Sequence, residues 1–424
     1  MPKTKKIVKK RVVKAPGKKA VVKKISSKTS KRTQTRKVSK SNKKSSNSKI
    51  ILAVLVAIVI ALVIGYIYNQ HHKQTTIDDF KAKPYNVVQP LASPNISPKS
   101  LLSPTAVKTS YNIPTTNSGT GTIVIVNAFD DPTADVDLAT FSSQFGLPAC
   151  TTANGCFTKY KMVPNIPTNS TWAIEDSLDL QWAHAIAPGA KILLVEAKSD
   201  SGTDLISALN YVKTLPNIRS VSLSWGGNEF NSEVGYENSF INSGGATYFV
   251  ASGDSGHGTS WPSVSANVIS VGGTTLTLNP NGSFKSETAW NGSGGGVSSF
   301  IGEPVRQIAA RISYANGHRG TPDVSFNANP NSGYPVYDST PYGGYRGWFQ
   351  VGGTSAGTPQ WAALNTLSSG TITANKVYTD ATTIRQTFLR DITSGNNGYC
   401  GTLCTTATGY DYVTGWGSPI TTRF

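Results

Sequence analysis

The sequence predicts an α/β fold in which a parallel sheet is flanked by helices. Short, continuous apolar runs, typical of strands buried on both faces of a sheet, occur at residues 121–129, 190–197, 218–225 and 246–252. Helical patterns lie among these runs, at residues 173–187 and 204–214. In such a fold the functional side chains are expected at the carboxyl ends of the strands.

The positive charge of the chain is concentrated at its N-terminus. Of the 40 Lys and Arg residues, 20 lie within residues 1–49, which contain no Asp or Glu. The rest of the chain carries 20 basic and 23 acidic side chains, a net charge of −3, so we expect no nucleic-acid partner. Residues 1–49 are predicted to be a disordered cytoplasmic tail that either contacts anionic lipid or serves as a solvated topology signal.

Residues 50–68 form a run of 19 residues without a charged residue or a proline. A helix of this length spans roughly 28 Å at about 1.5 Å per residue, close to the hydrocarbon thickness of a bilayer. We therefore expect one transmembrane helix, followed by a Pro/Ser-rich linker at 69–118 and a globular body at 119–424. The basic tail predicts a single-pass cell-membrane protein that contacts membrane lipid, with its N-terminus cytoplasmic and its body extracellular. A cleaved signal peptide is the alternative.

A candidate nucleophile lies in the small-residue stretch GGTSAGTP at 352–359, which opens a helical pattern. Ser355 would then stand at a helix N-terminus, among backbone N–H groups that stabilise a developing oxyanion. Residues 353–357 also fit the G-x-S-x-G motif of α/β-hydrolases. That mechanism requires a histidine after the serine, and none of the five histidines follows Ser355.

The candidate base is a pair of carboxyl groups. Glu175 and Asp179 are four residues apart in a helical pattern, so they share one helix face. Two adjacent carboxyl groups titrate as a unit, and in an acidic medium they can take a proton from a serine hydroxyl. An ordinary solvated acidic face gives the same pattern.

A second scheme would combine Asp130 or Asp131 with His184 and Ser355, in the chain order of a subtilisin-like triad. Glu175 and His184 are nine residues apart, and at about 100° per residue they face opposite sides of a helix. The two schemes are therefore alternatives.

The body resembles the sedolisins, or serine-carboxyl peptidases, over roughly residues 101–424. The resemblance is carried by SYNIP at 110–114, GTIVIVNAFDDPTADVDLATFSSQFGLP at 121–148, ExxxD at 175–179, APGAKILLVEA at 187–197, SLSWGG at 222–227, SGDSG at 252–256, TPDVSFNANPNSGYPVY at 321–337, GGTSAGTP at 352–359 and ATGYDYVTGWGSP at 407–419. It implies a subtilisin-like fold and a serine-type endopeptidase that acts on proteins or peptides at acidic pH.

The resemblance also assigns catalytic roles. It makes Ser355 the nucleophile, Glu175 the general acid/base, Asp179 the partner that shares its proton, and Asp254 a side chain of the oxyanion hole. A carboxyl group donates a hydrogen bond only when it is protonated, which again indicates acidic conditions.

Substrate and metal contacts follow from the same resemblance. The backbone of Ser224, Trp225 and Gly226 is expected to pair with an extended substrate. Members of the family carry one structural calcium ion, and the matching ligands are the side chains of Asp391 and Asp411 and the carbonyls of Ile392, Ala407 and Gly409. Ala407 stands where glycine is usual, and turn-forming aspartates without metal are the alternative.

The four cysteines form two close pairs, Cys150/Cys156 and Cys400/Cys404. Two local disulfides are the first interpretation for an exported protein. Free thiols or a metal clip are the alternatives, although neither spacing matches a zinc pattern.

The sequence thus predicts a membrane-anchored, acid-active serine-carboxyl endopeptidase with one structural calcium ion. A subtilisin-like peptidase that uses His184 and a catalytically inactive surface module are the competing hypotheses.

Overall fold

The computed structural model describes residues 52–62, 76–90 and 102–421, apart from the side chains of 383–387. The chain forms two units, residues 1–72 and residues 73–424. The predicted tail at 1–49 lies outside the described residues.

The predicted transmembrane helix at 50–68 requires a correction. Residues 52–62 are helical, while residues 50–51 and 63–68 lie outside the described part of the chain. The helical residues account for roughly 16 Å at about 1.5 Å per residue, against about 30 Å of hydrocarbon. None of the described helices combines the length and the apolar character that crossing a membrane requires, so the prediction is wrong.

In the larger unit, helices alternate with strands along most of the sequence. They are α1 (Pro104–Ser110), α2 (Ala134–Phe145), α3 (Ser170–Ile186), α4 (Gly202–Val212), α5 (Val305–Ala310), α6 (Thr354–Leu367) and α7 (Ala374–Phe388). Short 3₁₀ helices occur at Glu233–Phe240, Pro330–Ser332 and Gly401–Cys404.

The strands include the apolar runs that the sequence predicts. They are β1 (Lys83–Pro84), β2 (Val87–Pro90), β3 (Thr122–Ala128), β4 (Phe157–Lys161), β5 (Lys191–Ala197), β6 (Ile218–Leu223), β7 (Trp225–Gly226), β8 (Thr247–Ala251), β9 (Val268–Leu278), β10 (Phe284–Ala289), β11 (Gly296–Gly302), β12 (His318–Thr321), β13 (Val324–Asn327), β14 (Tyr334–Tyr342), β15 (Tyr345–Gly352), β16 (Leu389–Arg390) and β17 (Ser418–Pro419).

An eight-stranded sheet forms the centre of the larger unit, in the order β10-β9-β8-β6-β3-β5-β4, with β13 also paired to β9. Its pairings are parallel except for β10 with β9. β4 and β5 lie on one side of β3, while β6, β8 and β9 lie on the other. The strand order therefore reverses at β3, and a functional site is expected beyond the carboxyl ends of these strands.

Two buried helices pack against each other and carry the polar residues of the site. α3 begins after Asn169, whose side chain accepts from the N–H groups of Thr171 and Trp172 and satisfies two free donors. Every residue of α3 from 172 to 186, and every residue of α6, is buried. Charged side chains on α3 therefore lie in the protein interior, where burial favours their neutral forms.

Part of the predicted linker at 69–118 is folded onto the body. Residues 83–84 and 87–90 form strands, and residues 104–110 form α1. The reason is a set of apolar side chains that the linker composition hid, namely Ile77, Phe80, Ala82, Tyr85, Leu102, Val107, Tyr111 and Ile113, all of them buried. Residues 69–75 and 91–101 of this segment lie outside the described residues.

Both cysteine pairs form disulfides, Cys150–Cys156 and Cys400–Cys404. Their Cα atoms are 4.9 Å and 5.2 Å apart, within the range of ordinary disulfides. Each bond closes a short loop, so neither pair offers thiolates to a metal ion.

Candidate active site

Ser355 is the second residue of α6 and is completely buried. Its hydroxyl donates to the carbonyl of Ser224 at 3.0 Å, directly after β6. Its backbone N–H donates to the carbonyl of Tyr85, also at 3.0 Å. The helix N-terminus thus supplies a hydroxyl and an N–H donor at one place.

Glu175 and Asp179 have no exposed surface, which excludes an ordinary solvated acidic face. One Glu175 oxygen, Oε2, accepts from the side-chain amide of Asn86, while Oε1 has no hydrogen-bond partner. Both oxygens of Asp179 are used: Oδ1 accepts from the Ser224 hydroxyl at 2.7 Å, and Oδ2 from the Asn127 amide at 3.2 Å.

Burial raises the pKa of both members of this pair. The charge of Asp179 raises the pKa of Glu175 further, while the Asn86 and Ser355 side chains partly offset the rise. The Ser224 and Asn127 side chains donate hydrogen bonds to Asp179 and favour its charged carboxylate. They therefore lower its pKa and partly offset the effect of burial. The pair therefore holds one proton, and that proton resides mainly on Glu175.

Asp254 lies in the loop after β8 and faces the first turn of α6. Its Oδ1 accepts from the backbone N–H and the hydroxyl of Thr354, each at 2.8 Å. Its Oδ2 is buried without a partner. Burial raises the pKa of Asp254 to about 7, although the two Thr354 bonds lower it. Below pH 7 this carboxyl is neutral, and Oδ2 can carry a proton and donate it.

Gly353 keeps the space between these groups open. Its φ of 104° lies in the region that favours glycine. A β-carbon at this position would collide with the Tyr85 carbonyl oxygen and with Asp254 Oδ2. Both oxygens therefore face the same point at the start of α6.

The alternative triad is not assembled. His184 is buried, and its Nε2 lies 2.8 Å from the carbonyl of Pro148 rather than near Asp130 or Asp131. Asp130 forms ion pairs with Lys159, at 2.9 Å, and with a second lysine on β4. The helix-phase prediction that His184 faces away from Glu175 therefore agrees with the geometry.

The predicted substrate-pairing backbone is in contact with a segment of the chain itself. β1 pairs antiparallel with β7, with Lys83 opposite Gly226 and Pro84 opposite Trp225. The N–H of Tyr85 then donates to the Ser224 carbonyl at 3.1 Å. Residues 83–85 thus form an added strand along the cleft.

Two residues predicted only through their backbone, Ser224 and Trp225, also form side-chain hydrogen bonds. The indole N–H of Trp225 donates to the carbonyl of Val126 at 2.7 Å and ties β7 to β3. Ser224, predicted only through its backbone, contributes its hydroxyl to Asp179.

Sequence reasoning missed Asn127 and Thr354. Asn127 is the last residue but one of the apolar strand β3, and its side-chain amide donates to Asp179 and, at 2.9 Å, to Asp176. A single polar residue at the carboxyl end of a buried strand is a signal that could have identified it. Thr354 precedes the nucleophile, and nothing in its position distinguished it from a loop residue.

The predicted calcium ligands come together around one loop. The N–H of Gly409 donates to Asp391 Oδ2 at 2.9 Å, and the N–H of Ala407 donates to Asp411 Oδ2 at 3.2 Å. Asp391 Oδ1 is buried without a partner, as an oxygen available to a cation would be. Ala407 is not among the described residues with positive φ, so its backbone conformation does not require the glycine that is usual at this position. Ile392 directly follows Asp391 in the chain.

The chain matches one protein family and is similar to curated proteins. Residues 166–417, more than half of the chain, match the Peptidase_S8 family, described as the subtilase family. Sedolisin from Pseudomonas sp. (strain 101) is 36% identical over 204 residues, which is 41% of this chain and 33% of that protein. Kumamolisin from Bacillus sp. (strain MN-32) is 29% identical over 360 residues, or 76% of this chain and 62% of that protein.

The structure of Pseudomonas sedolisin, complexed with two molecules of pseudo-iodotyrostatin, is similar with a TM-score of 0.64 and 28% identity. The match covers 75% of this chain and 95% of that one. The chain matches less than two thirds of the length of the curated relatives above.

Gly353→Ala should reduce the rate of peptide hydrolysis at least about 100-fold, because its methyl group would displace Asp254 and the carbonyl beside it. Gly347→Ala is the matched control, since Gly347 has the same φ of 104° but almost open space around it. We expect both variants to lose similar thermal stability and only Gly353→Ala to lose activity. Equal activity in the two variants would show that the space at Gly353 has no functional role.

Proposed function

This chain belongs to the subtilase family and has a sedolisin-type, subtilisin-like fold, and we propose that it is a serine-carboxyl endopeptidase that cleaves proteins under acidic conditions. The observation that carries the proposal is the buried Glu175–Asp179 pair beside Ser355. A histidine base would serve at neutral pH, whereas two buried carboxyl groups that share a proton serve in acid.

In the first step the Ser355 hydroxyl breaks its hydrogen bond to the Ser224 carbonyl and transfers its proton to Glu175. Glu175 passes the proton that it already held to Asp179. The two bonds that Asp179 accepts hold it in place for this exchange. Ser355 Oγ then attacks the substrate carbonyl carbon. The pair thereby gains one proton, and its net charge changes from −1 to zero, since Glu175 and Asp179 now each hold a proton.

The developing oxyanion is stabilised by two donors, the backbone N–H of Ser355 and the protonated Oδ2 of Asp254. The leaving amine takes a proton back from Glu175, which leaves an acyl-enzyme on Ser355. Water then attacks the ester, with Glu175 acting as base and afterwards returning the proton to the serine.

We also propose one structural calcium ion held by Asp391 and Asp411 with the carbonyls of Ile392, Ala407 and Gly409. The unpartnered Asp391 Oδ1 supports this ligand set. Such an ion would neutralise two carboxylates and tie the loop to the end of β16, and it takes no part in the chemical steps.

The proposed place of action is outside the cytoplasm. The two disulfides support this proposal, because disulfides persist in oxidising compartments and are rare in the cytosol. Its proposed substrates are proteins or peptides that can add an extended strand beside Ser224, Trp225 and Gly226.

Ser355→Ala should lower the hydrolysis of a denatured, dye-labelled protein at pH 4 by at least about 1000-fold. Glu175→Gln should lower it at least about 100-fold, because the amide cannot accept the proton. His184→Ala is the matched control on the same helix, since its side chain contacts Pro148 outside the site, and it should keep activity within a few-fold. An inactive His184→Ala beside an active Glu175→Gln would overturn the proposed mechanism.

Removing calcium with a chelator should lower the melting temperature of the Ser355→Ala protein, which cannot digest itself, by roughly 5 °C or more. Asp391→Asn should melt lower and no longer respond to the chelator. Asp135→Asn, which changes an exposed carboxylate on α2, should respond like the parent. A melting curve that no chelator or added calcium shifts would exclude the ion.

A further inference from the structure

One carboxyl group ties three segments of the chain together beside the active site. Glu229 Oε1 accepts from the hydroxyl of Thr259. Its Oε2 accepts from the hydroxyl of Ser298 and, at 3.2 Å, from the backbone N–H of Ser299. Glu229 lies after β7, Thr259 lies in the loop after β8 that also carries Asp254, and the two serines lie on β11. A single side chain therefore joins the segment after β7, the Asp254 loop and β11.

The segments that Glu229 joins form the wall of a cavity next to Asp254. The cavity has a volume of about 200 Å³. Gly227 and Asn228 after β7, the whole loop at 252–260 and Gly294 before β11 line it, together with Lys83 and Tyr85 of the added strand. Asp254, the proposed oxyanion donor, is part of this lining. A substrate residue beside the scissile bond would therefore contact the wall that Glu229 holds.

The loop at 252–260 has little rigidity of its own. Its sequence is SGDSGHGTS, and all three of its glycines have positive φ. Glycine loses more conformational freedom on folding than any other residue, so a loop of this composition depends on its contacts to stay in one position. Gly258 exchanges two backbone hydrogen bonds with Gly295, each at 2.8 Å, and the next residue, Thr259, is held by Glu229. Glu229 thus fixes the end of the loop where the wall meets the body.

A second carboxyl group braces Glu229. Glu233 begins the 3₁₀ helix Glu233–Phe240 and has no exposed surface. Its Oε2 accepts from the N–H of Phe230 at 2.9 Å, while Oε1 is buried without a hydrogen-bond donor among the described residues. The carboxyl groups of Glu229 and Glu233 lie within hydrogen-bonding reach of each other. Because charged carboxylates only accept, this contact is a hydrogen bond only when one of the two groups holds a proton.

The proton of this contact belongs to Glu233. Burial, followed by the charge of Glu229, raises the pKa of Glu233 to about 9, although the hydrogen bond from Phe230 lowers it. Glu237, on the same 3₁₀ helix, raises it further. The oxygens of Glu229 already accept from three donors, which suits a charged carboxylate. Glu233 is therefore the donor and Glu229 the acceptor throughout the acidic range.

We propose that Glu229 is a positioning residue of the peptidase, which holds the wall of the substrate cavity in place, and that Glu233 acts through it as a hydrogen-bond donor. This proposal rests on the proposed peptidase function. Neither residue contacts the reacting atoms of Ser355 or Glu175. Their loss should therefore weaken substrate binding and leave the chemical steps largely unchanged.

The kinetic test measures KM and kcat at pH 5 for one internally quenched fluorescent peptide. Every chain also carries Tyr85→Ala, which leaves the cavity free for the substrate. Glu229→Gln should raise KM about 10-fold and keep kcat within about 3-fold, because the amide replaces one acceptor oxygen by a donor. Glu303→Gln, directly after the other end of β11, is the matched control and should keep the parent KM. A Glu229→Gln chain with the KM of this control, or with a loss confined to kcat, would contradict the proposal.

Two substitutions at Glu233 separate its hydrogen bond from its packing. Glu233→Gln keeps both the shape and a donor towards Glu229, so its KM should lie within about 2-fold of the parent value. Glu233→Met has a similar volume but no donor, and it should raise KM roughly 5- to 10-fold. Equal KM values in these two variants would show that Glu233 does not act through a hydrogen bond.

A double-mutant cycle tests whether Glu229 acts through Thr259. Thr259→Val removes the hydroxyl and should raise KM about 3-fold on its own. Added to Glu229→Gln, it should raise KM no further, because the contact is already lost. Effects on KM that simply multiply would show that the two side chains act separately, against the proposal.

Hydrogen exchange, followed by mass spectrometry in the inactive Ser355→Ala chain, tests the brace without catalysis. Glu229→Gln should speed exchange of the amides at 256–259 at least about 10-fold, while Glu303→Gln should exchange like the parent. If the two exchange alike, the positioning proposal fails whether or not the chain is a peptidase. If exchange rises as expected but no Ser355-dependent cleavage occurs from pH 3 to pH 8, the peptidase function fails, and the positioning role fails with it.

Discussion

The structure of the site depends on the burial of two carboxyl groups on one helix. Glu175 and Asp179 lie on α3, which is buried along almost its whole length, and water cannot solvate two charges there. The cost of ionising both groups keeps one proton between them. A serine beside such a pair has a general base without a histidine. The pair can act as this base only in the state in which it holds one proton.

The same constraint governs the other polar contacts of the site. Ser224 and Asn127 donate to Asp179 and thereby hold the charge of the pair on the member farther from the nucleophile. Asp254 is also buried, so it remains a donor up to about pH 7. Three carboxyl groups in one dry site therefore suit the acidic chemistry that we propose for this chain.

Much of the fold and of the candidate site could be predicted from the sequence, because apolar strand runs and the i, i+4 carboxyl spacing are local patterns. The hydroxyl of Ser224 and the amide of Asn127 were missed, since their partner lies on another element and only the fold brings them together. The described segment 76–90 was assigned to a linker for a related reason. Its polar composition hid a few apolar anchors, and their burial depends on a cleft that a local pattern does not reveal. The predicted transmembrane helix at 50–68 relied on apolar length, and no helix among the described residues is long and apolar enough to cross a membrane.

The most direct test is the dependence of kcat/KM on pH for one peptide substrate, measured from pH 3 to pH 9 with the purified protein. If buried carboxyl groups activate Ser355 and stabilise the oxyanion, kcat/KM should be high in acid and should fall as pH rises through about 7, where Asp254 loses its proton. A profile that instead rises between about pH 6 and 7 to a neutral plateau is the behaviour of a histidine base and would contradict the account.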